Sequence, residues 1–116
     1  MRKNLWAESW DSKSPKGFDA TIFGGFIGAS GNNNVGIAGI NHNIQIIGVK
    51  FLSRSGSGSI FDAIKAIDYV TNLKTRGVNV ILSSNSWGCE CPYLQGLSDA
   101  ISRARNQDLL FIAAAG

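Results

Sequence analysis

The chain has 116 residues, room for one small domain, since domains usually need roughly 100 to 200 residues. Eleven Lys and Arg against eight Asp and Glu give a net charge of +3; the basic residues are scattered rather than gathered into a stripe, so no nucleic-acid surface is expected. The longest apolar run, Leu109 to Ala115, is far shorter than the roughly 20 residues that cross a bilayer, so no membrane partner is expected, and 44% hydrophobic residues argue against global disorder.

Residues 1–18 show neither helical nor alternating periodicity, and Pro15-Lys16-Gly17 is a turn signal, so this stretch is expected to be an irregular lead-in to a domain over 19–116. Glu8 and Asp11 interrupt any apolar segment of the kind a signal peptide uses, so no export signal is expected here. From Asp19 to Ala29 the residues turn apolar and small, with Asp19 available as N-cap, which predicts a buried helix with close backbone contacts. Ser30 to Asn34 is a Gly/Asn turn, and Val35 to Ile40 alternates with glycine as a packed loop would.

Ile44 to Leu52 is rich in β-branched residues and apolar on both faces, as suits a strand covered on each side. Beyond the flexible Ser53 to Gly58, Ser59 and Asp62 resemble a capping box. Ile60, Ala63, Ile64, Ile67, Val70 and Leu73 then recur at helical spacing until Gly77 stops the helix. Val78 to Ser83 reads as a second buried strand ending in the polar turn Ser84-Asn85-Ser86-Trp87-Gly88. Leu94, Leu97, Ala100, Ile101 and Ala104 mark another helix, with Arg103 and Arg105 where the dipole favours positive charge, and Leu109 to Ala115 is a third strand. Strand, helix, strand, helix, strand predicts a parallel sheet with helices on both faces, an α/β fold in three layers. Cys89 and Cys91 are too close in sequence to staple distant elements, and they are expected to be ordinary loop thiols rather than a metal site.

Several linked stretches, in this order and spacing, resemble the subtilases, the subtilisin-like serine proteases: Gly28 through Ile40, the strand Ile46 to Leu52, Ser55-Gly56-Ser57-Gly58-Ser59, Asn85-Ser86-Trp87-Gly88, and Phe111-Ile112-Ala113-Ala114-Ala115-Gly116. The resemblance covers residues 19–116 and implies a partial subtilisin-like fold. That family hydrolyses peptide bonds with a Ser nucleophile, a His base and an Asp that orients the His, and loss of any member removes most of the rate.

Counting back from Gly28-Ala29 places Asp19 where the family carries its His. A carboxylate with an ordinary pKa of about 4 cannot shuttle protons as imidazole does near neutral pH. The triad Asp and Ser segments are expected upstream and downstream of the matched stretch, and the oxyanion-hole Asn after Ala114-Ala115-Gly116. The expectation is therefore a fragment or degenerate member of the family, inactive alone, with no catalytic residue assigned. His42, the single histidine, is expected to be a solvated loop residue.

The resemblance also implies a substrate-binding edge. Ser86, Trp87 and Gly88 would pair with an extended peptide or protein segment, and Ala114, Ala115 and Gly116 would form the opposite wall of the first specificity pocket; the plainer alternative is that Trp87 packs and Ala113 to Gly116 are a buried strand end. A non-catalytic peptide-binding module is the competing function. The turn holding Asn33, Val35 and Ile37 is similar to a loop that binds calcium in many subtilases, here without the carboxylates that hard calcium prefers. A nucleotide-binding domain is disfavoured, because no strand, Gly-rich turn and helix follow one another as phosphate cradling requires. The family is often secreted. A sheet of about three strands would leave edges uncovered, which predicts self-association through them.

Overall fold

A computed structural model describes residues 5–8, 24–53 and 55–115. In chain order the elements are β1 (Leu5–Glu8), helical residues 24–28 (α1), β2 (Gln45–Gly48), α2 (Ile60–Thr75), β3 (Val80–Asn85), α3 (Gln95–Arg105) and β4 (Leu110–Ala113). The strands form one parallel sheet in the order β2-β1-β3-β4. The chain moves outward from β1 to β2 and then returns to β3 on the other flank, so β1 is a topological switch point of the kind beside which open α/β sheets place their ligands.

The described residues of the expected lead-in are thus a central strand, which corrects the irregular assignment there. Leu5-Trp6-Ala7 is too short a run to display a period, and its extended form comes from backbone pairing on both sides, to Gln45–Gly48 and to β3. A second correction concerns the next strand. β2 is much shorter than the apolar stretch Ile44 to Leu52: it pairs with β1 over Gln45–Gly48, and Val49 to Leu52 lie outside the strand.

α2 has specific chemistry at both ends. Ser59 Oγ accepts the Asp62 amide at 3.1 Å, the N-cap half of a capping box, and donates to Asp62 Oδ2 at 2.7 Å. At the other end the Gly77 amide donates to Lys74 O at 2.9 Å and the Val78 amide to Leu73 O at 3.0 Å, with Gly77 at φ +90°. This Schellman arrangement needs a left-handed residue, and glycine adopts that conformation at no steric cost. α3 ends on the same pattern, with Asp108 at φ +53° and Leu109 N donating to Ala104 O.

The core lies between these helices and the sheet: Ile67 and Val70 of α2, Ala100 and Ala104 of α3, Val80 and Leu109, with Ile47, Trp87 and Phe111 packed against it. The pairing register aligns Ile47, Ala7, Ser83 and Phe111 in one row, so the face carrying that row is the one α2 and α3 cover. Alanine at 100 and 104 lets α3 approach α2 closely, and the helices are joined at their surface by Arg103, whose guanidinium donates to both carboxylate oxygens of Asp68 at 3.0 and 2.9 Å. That hydrogen bond, more than any other influence, raises the Arg103 pKa above its ordinary value. Lys74 Nζ donates to Val80 O at 2.7 Å, fixing the end of α2 to the start of β3.

Ile46 belongs to the opposite row, with Leu82 and Leu110. α1 lies over this face: a Cβ at Gly24 or Gly28 would stand 3.6 and 3.5 Å from Ile46 Cδ1. Helices therefore flank the sheet on both sides in three layers, although the outer face of β4 is bare, with Leu110 56% and Ile112 44% exposed. At the end of α1 the chain returns on itself: Gly39, Ile40 and Asn41 donate to the carbonyls of Ala29, Phe26 and Ile27 at 3.0, 3.0 and 2.9 Å. Within Val35 to Ile40, expected to be a packed loop, only Gly39 is buried, because residues 30–38 bulge into solvent between the two ends of this clasp.

Candidate substrate edge

β3 turns polar at its C-terminal end, and Asn85 organises the segment beyond it. Its Nδ2 donates to Ser83 O at 3.2 Å, Ser83 Oγ at 3.0 Å and Ile112 O at 3.1 Å. Its Oδ1 accepts the indole N–H of Trp87 at 3.3 Å, and its main-chain carbonyl accepts Ala114 N at 3.2 Å. One amide thus ties the ends of β3 and β4 together and orients Trp87. The Trp87 ring meets Phe51 edge-on, with centroids 5.2 Å apart and planes at 74°. Trp87 is half-buried against the core, so the packing role expected of it is present alongside any role in binding.

Ser86 and Gly88 are exposed, as are Ala114 and Ala115. Since Asn85 pairs with Ala113, the segments that continue β3 and β4 leave the sheet side by side at one end. Nothing lies within 4 Å of the place where a Cβ on Gly88 would stand. The structure therefore brings Ser86-Trp87-Gly88 and Ala114-Ala115 to a common edge. Gly116 and Asp19 lie outside the described residues. Beneath Trp87, between β3 and α2, is a hollow of about 20 Å³ lined by Val49, Phe51, Ile67, Ser83, Asn85 and Leu109 among others. A water needs roughly 10–15 Å³ on that measure, so the hollow has room for about one water and not for a side chain.

His42 is exposed on the turn before β2. Its imidazole lies over Gly31, where a Cβ would fall 2.7 Å from both ring nitrogens, and it makes no hydrogen bond or ion pair among the described residues. Asn33, Val35 and Ile37 are all exposed. Asn33 Oδ1 accepts the Val35 amide at 3.1 Å, closing an Asx turn, and Asn32 and Asn34 are both left-handed at φ 57°. This turn offers the amide oxygens of Asn32, Asn33 and Asn34, that of Asn33 already engaged, and neutral main-chain carbonyls, but no carboxylate, where calcium sites combine six to eight oxygens that usually include carboxylates. Among the described residues no three His, Cys, Asp or Glu side chains gather. The donor set does not fit calcium, and no chemistry is derived through it.

The sulfurs of Cys89 and Cys91 lie against each other, with the Cα atoms 5.2 Å apart. The chain bends at Glu90 between them, which turns the two side chains toward each other.

A four-stranded parallel sheet flanked by helices, with Ser86, Gly88, Ala114 and Ala115 exposed beyond the ends of β3 and β4, is an α/β architecture. The chain belongs to the subtilase family, whose model matches residues 3–116. It is 35% identical over 96 residues to a thermophilic serine proteinase of Bacillus sp. (strain AK1), covering 83% of this chain and 22% of that one. It is 34% identical over 96 residues to the minor extracellular protease Epr of Bacillus subtilis (strain 168), covering 83% of this chain and 14% of that one. A solved S41 psychrophilic protease superposes with a TM-score of 0.78 at 19% identity, over all of this chain and 46% of that one. The chain thus spans about a fifth of the length of the first of these curated relatives.

Asn85 is the organising residue of this edge that the motif alone did not single out. Its signal was the switch from Val80-Ile81-Leu82 to Ser83-Ser84-Asn85 within one strand, where a half-buried amide draws several partners.

Proposed function

We propose that this chain is a segment of a subtilisin-type serine endopeptidase domain that contributes the extended-peptide edge and does not hydrolyse peptide bonds by itself. The observation that carries the proposal is the joint exit of Ser86-Trp87-Gly88 and Ala114-Ala115 from paired strands, held by Asn85. The absence of turnover is supported by Asp19 at the position of the family's base and by a single histidine whose ring rests on Gly31. Purified protein is expected neither to turn over a peptide ester nor to be labelled by a fluorophosphonate. Stoichiometric labelling of a serine would overturn this.

A second reading, a non-catalytic peptide-binding module, is favoured by the open space at Gly88. Titration with a library of extended peptides would then saturate, and Trp87→Ala would abolish the binding; no saturable binding by the native chain would end it. Self-association is a further part of the proposal, supported by Leu110 and Ile112 exposed on an edge strand. Gel filtration giving a concentration-independent monomer would refute it.

A further inference from the structure

Asn85 stands where two paired strands come apart. Its main-chain carbonyl accepts Ala114 N at 3.2 Å, and beyond that bond no main-chain hydrogen bond joins Ser86-Trp87-Gly88 to Ala114-Ala115 among the described residues. Adjacent strands lie roughly 4.8 Å apart, so the fork has a fixed width at its apex, and its divergence depends on what holds the two branches. The β3 branch is held by Trp87, which packs on Phe51 and the core. On the β4 branch Ala113, Ala114 and Ala115 are all exposed, and the Asn85 amide reaches across to it at Ile112 O, 3.1 Å away. The orientation of that amide is fixed by its partners. Turning it over would set its oxygen against the carbonyls of Ser83 and Ile112 and its NH2 group against the Trp87 indole N–H.

We propose that Asn85 is a positioning residue that fixes the gap between Ser86-Trp87-Gly88 and Ala114-Ala115, and so determines which uncharged side chain of an extended peptide the gap admits. This rests on the reading of the edge as a peptide-binding one. The class of side chain follows from the walls. Neither branch carries a charged residue, and an ionised group entering between them would lose water without gaining a counter-charge. Room for a side chain is present at Gly88, where nothing lies within 4 Å of the Cβ position. A gap of fixed width discriminates by size, because an oversized side chain must push packed atoms apart and an undersized one leaves contacts unmade. With the bridge to Ile112 O removed, the β4 branch is free to shift against Trp87, and discrimination fades.

The test titrates the full chain with extended peptides that carry alanine, leucine, phenylalanine or lysine at one position. The native chain is expected to spread the three uncharged peptides over about tenfold in affinity and to bind the lysine peptide most weakly. In Asn85→Ala the spread should fall to about twofold, with the Gly88 and Ala115 amide resonances displaced and those of Val70 and Ala100 unmoved. Asn85→Asp separates positioning from a general loss of stability. Its carboxylate offers no donor to Ser83 O or Ile112 O, and protonation restores one, so the spread should return on acidification. A native chain that binds none of the peptides ends the reading of the edge, and this proposal with it. Native binding without discrimination, an unchanged spread in both variants, or an Asn85→Asp spread indifferent to pH overturns the role of Asn85 alone. Should Asn85→Ala fail to fold, the pH dependence of Asn85→Asp decides the matter.

Discussion

Residues 24–58 and residues 60–113 differ sharply in how they use apolar side chains. In the second stretch, two helices, each ending in a Schellman turn, close over two strands and bury Ala63, Ile67, Val70, Val80, Ala100, Ala104 and Leu109. Among the described residues of the first, only Gly39 is buried, while Ile40 is 91% and Val35 74% exposed. Hydrophobic composition alone therefore does not make a core. Burial needs two faces that can meet, and α2 and α3 supply the second face for β3 and β4, whereas the glycines of the described part of α1 approach Ile37, Ile44 and Ile46. The first stretch is held mainly by backbone hydrogen bonds, the second by packing.

The sharpest way to break this contrast is a matched pair of truncations. Ile67→Ala should lower unfolding free energy by about 2–5 kcal/mol, and Ile40→Ala should stay within roughly 0.5 kcal/mol of the native chain, both by urea denaturation. Equal losses at the two sites would show that the first stretch is also packed. A smaller effect tests the junction between sheet and edge. Asn85→Ala should cost about 1–3 kcal/mol by leaving the Trp87 indole N–H and strand carbonyls with fewer partners, and should shift the Trp87 emission to longer wavelength; unchanged emission would separate Asn85 from the ring.

The two helix ends refine the comparison within the packed half. Gly77 has nothing within 4 Å of where a Cβ would stand, so Gly77→Ala should cost about 1–2 kcal/mol from the left-handed backbone alone. Asp108 holds the equivalent conformation without being glycine, and Asp108→Gly should raise the melting midpoint slightly, by up to about 1 kcal/mol in stability. A loss on Asp108→Gly would mean that its side chain contributes something the conformation does not explain.

Much of the packed half was legible in sequence, because each signal there was local. The spacing of Ile60 to Leu73, Ser59 with Asp62, and Gly77 each require neighbours only within a turn or two, and all are found in α2 and its ends. β1 was not legible, since four residues cannot show a period and its conformation depends on strands about 40 and 75 positions away. The length of β2 was misjudged for the same reason. The candidate edge was legible as a motif, Asn85-Ser86-Trp87-Gly88, but the cross-strand bond from Asn85 to Ile112 spans 27 positions and carries no signal in composition.

The three hydrogen bonds that return residues 39–41 to the end of α1 have a consequence for how this chain accommodates change. They satisfy helix carbonyls with a segment that leads directly into β2, so residues 30–38 form an excursion with both ends bolted down. Indels or a grafted epitope between Ser30 and Ala38 should leave strand register unmoved, because loop closure grows only slowly in cost with length. The molecule thus carries a built-in tolerance to length variation on the flank opposite its best-packed layer.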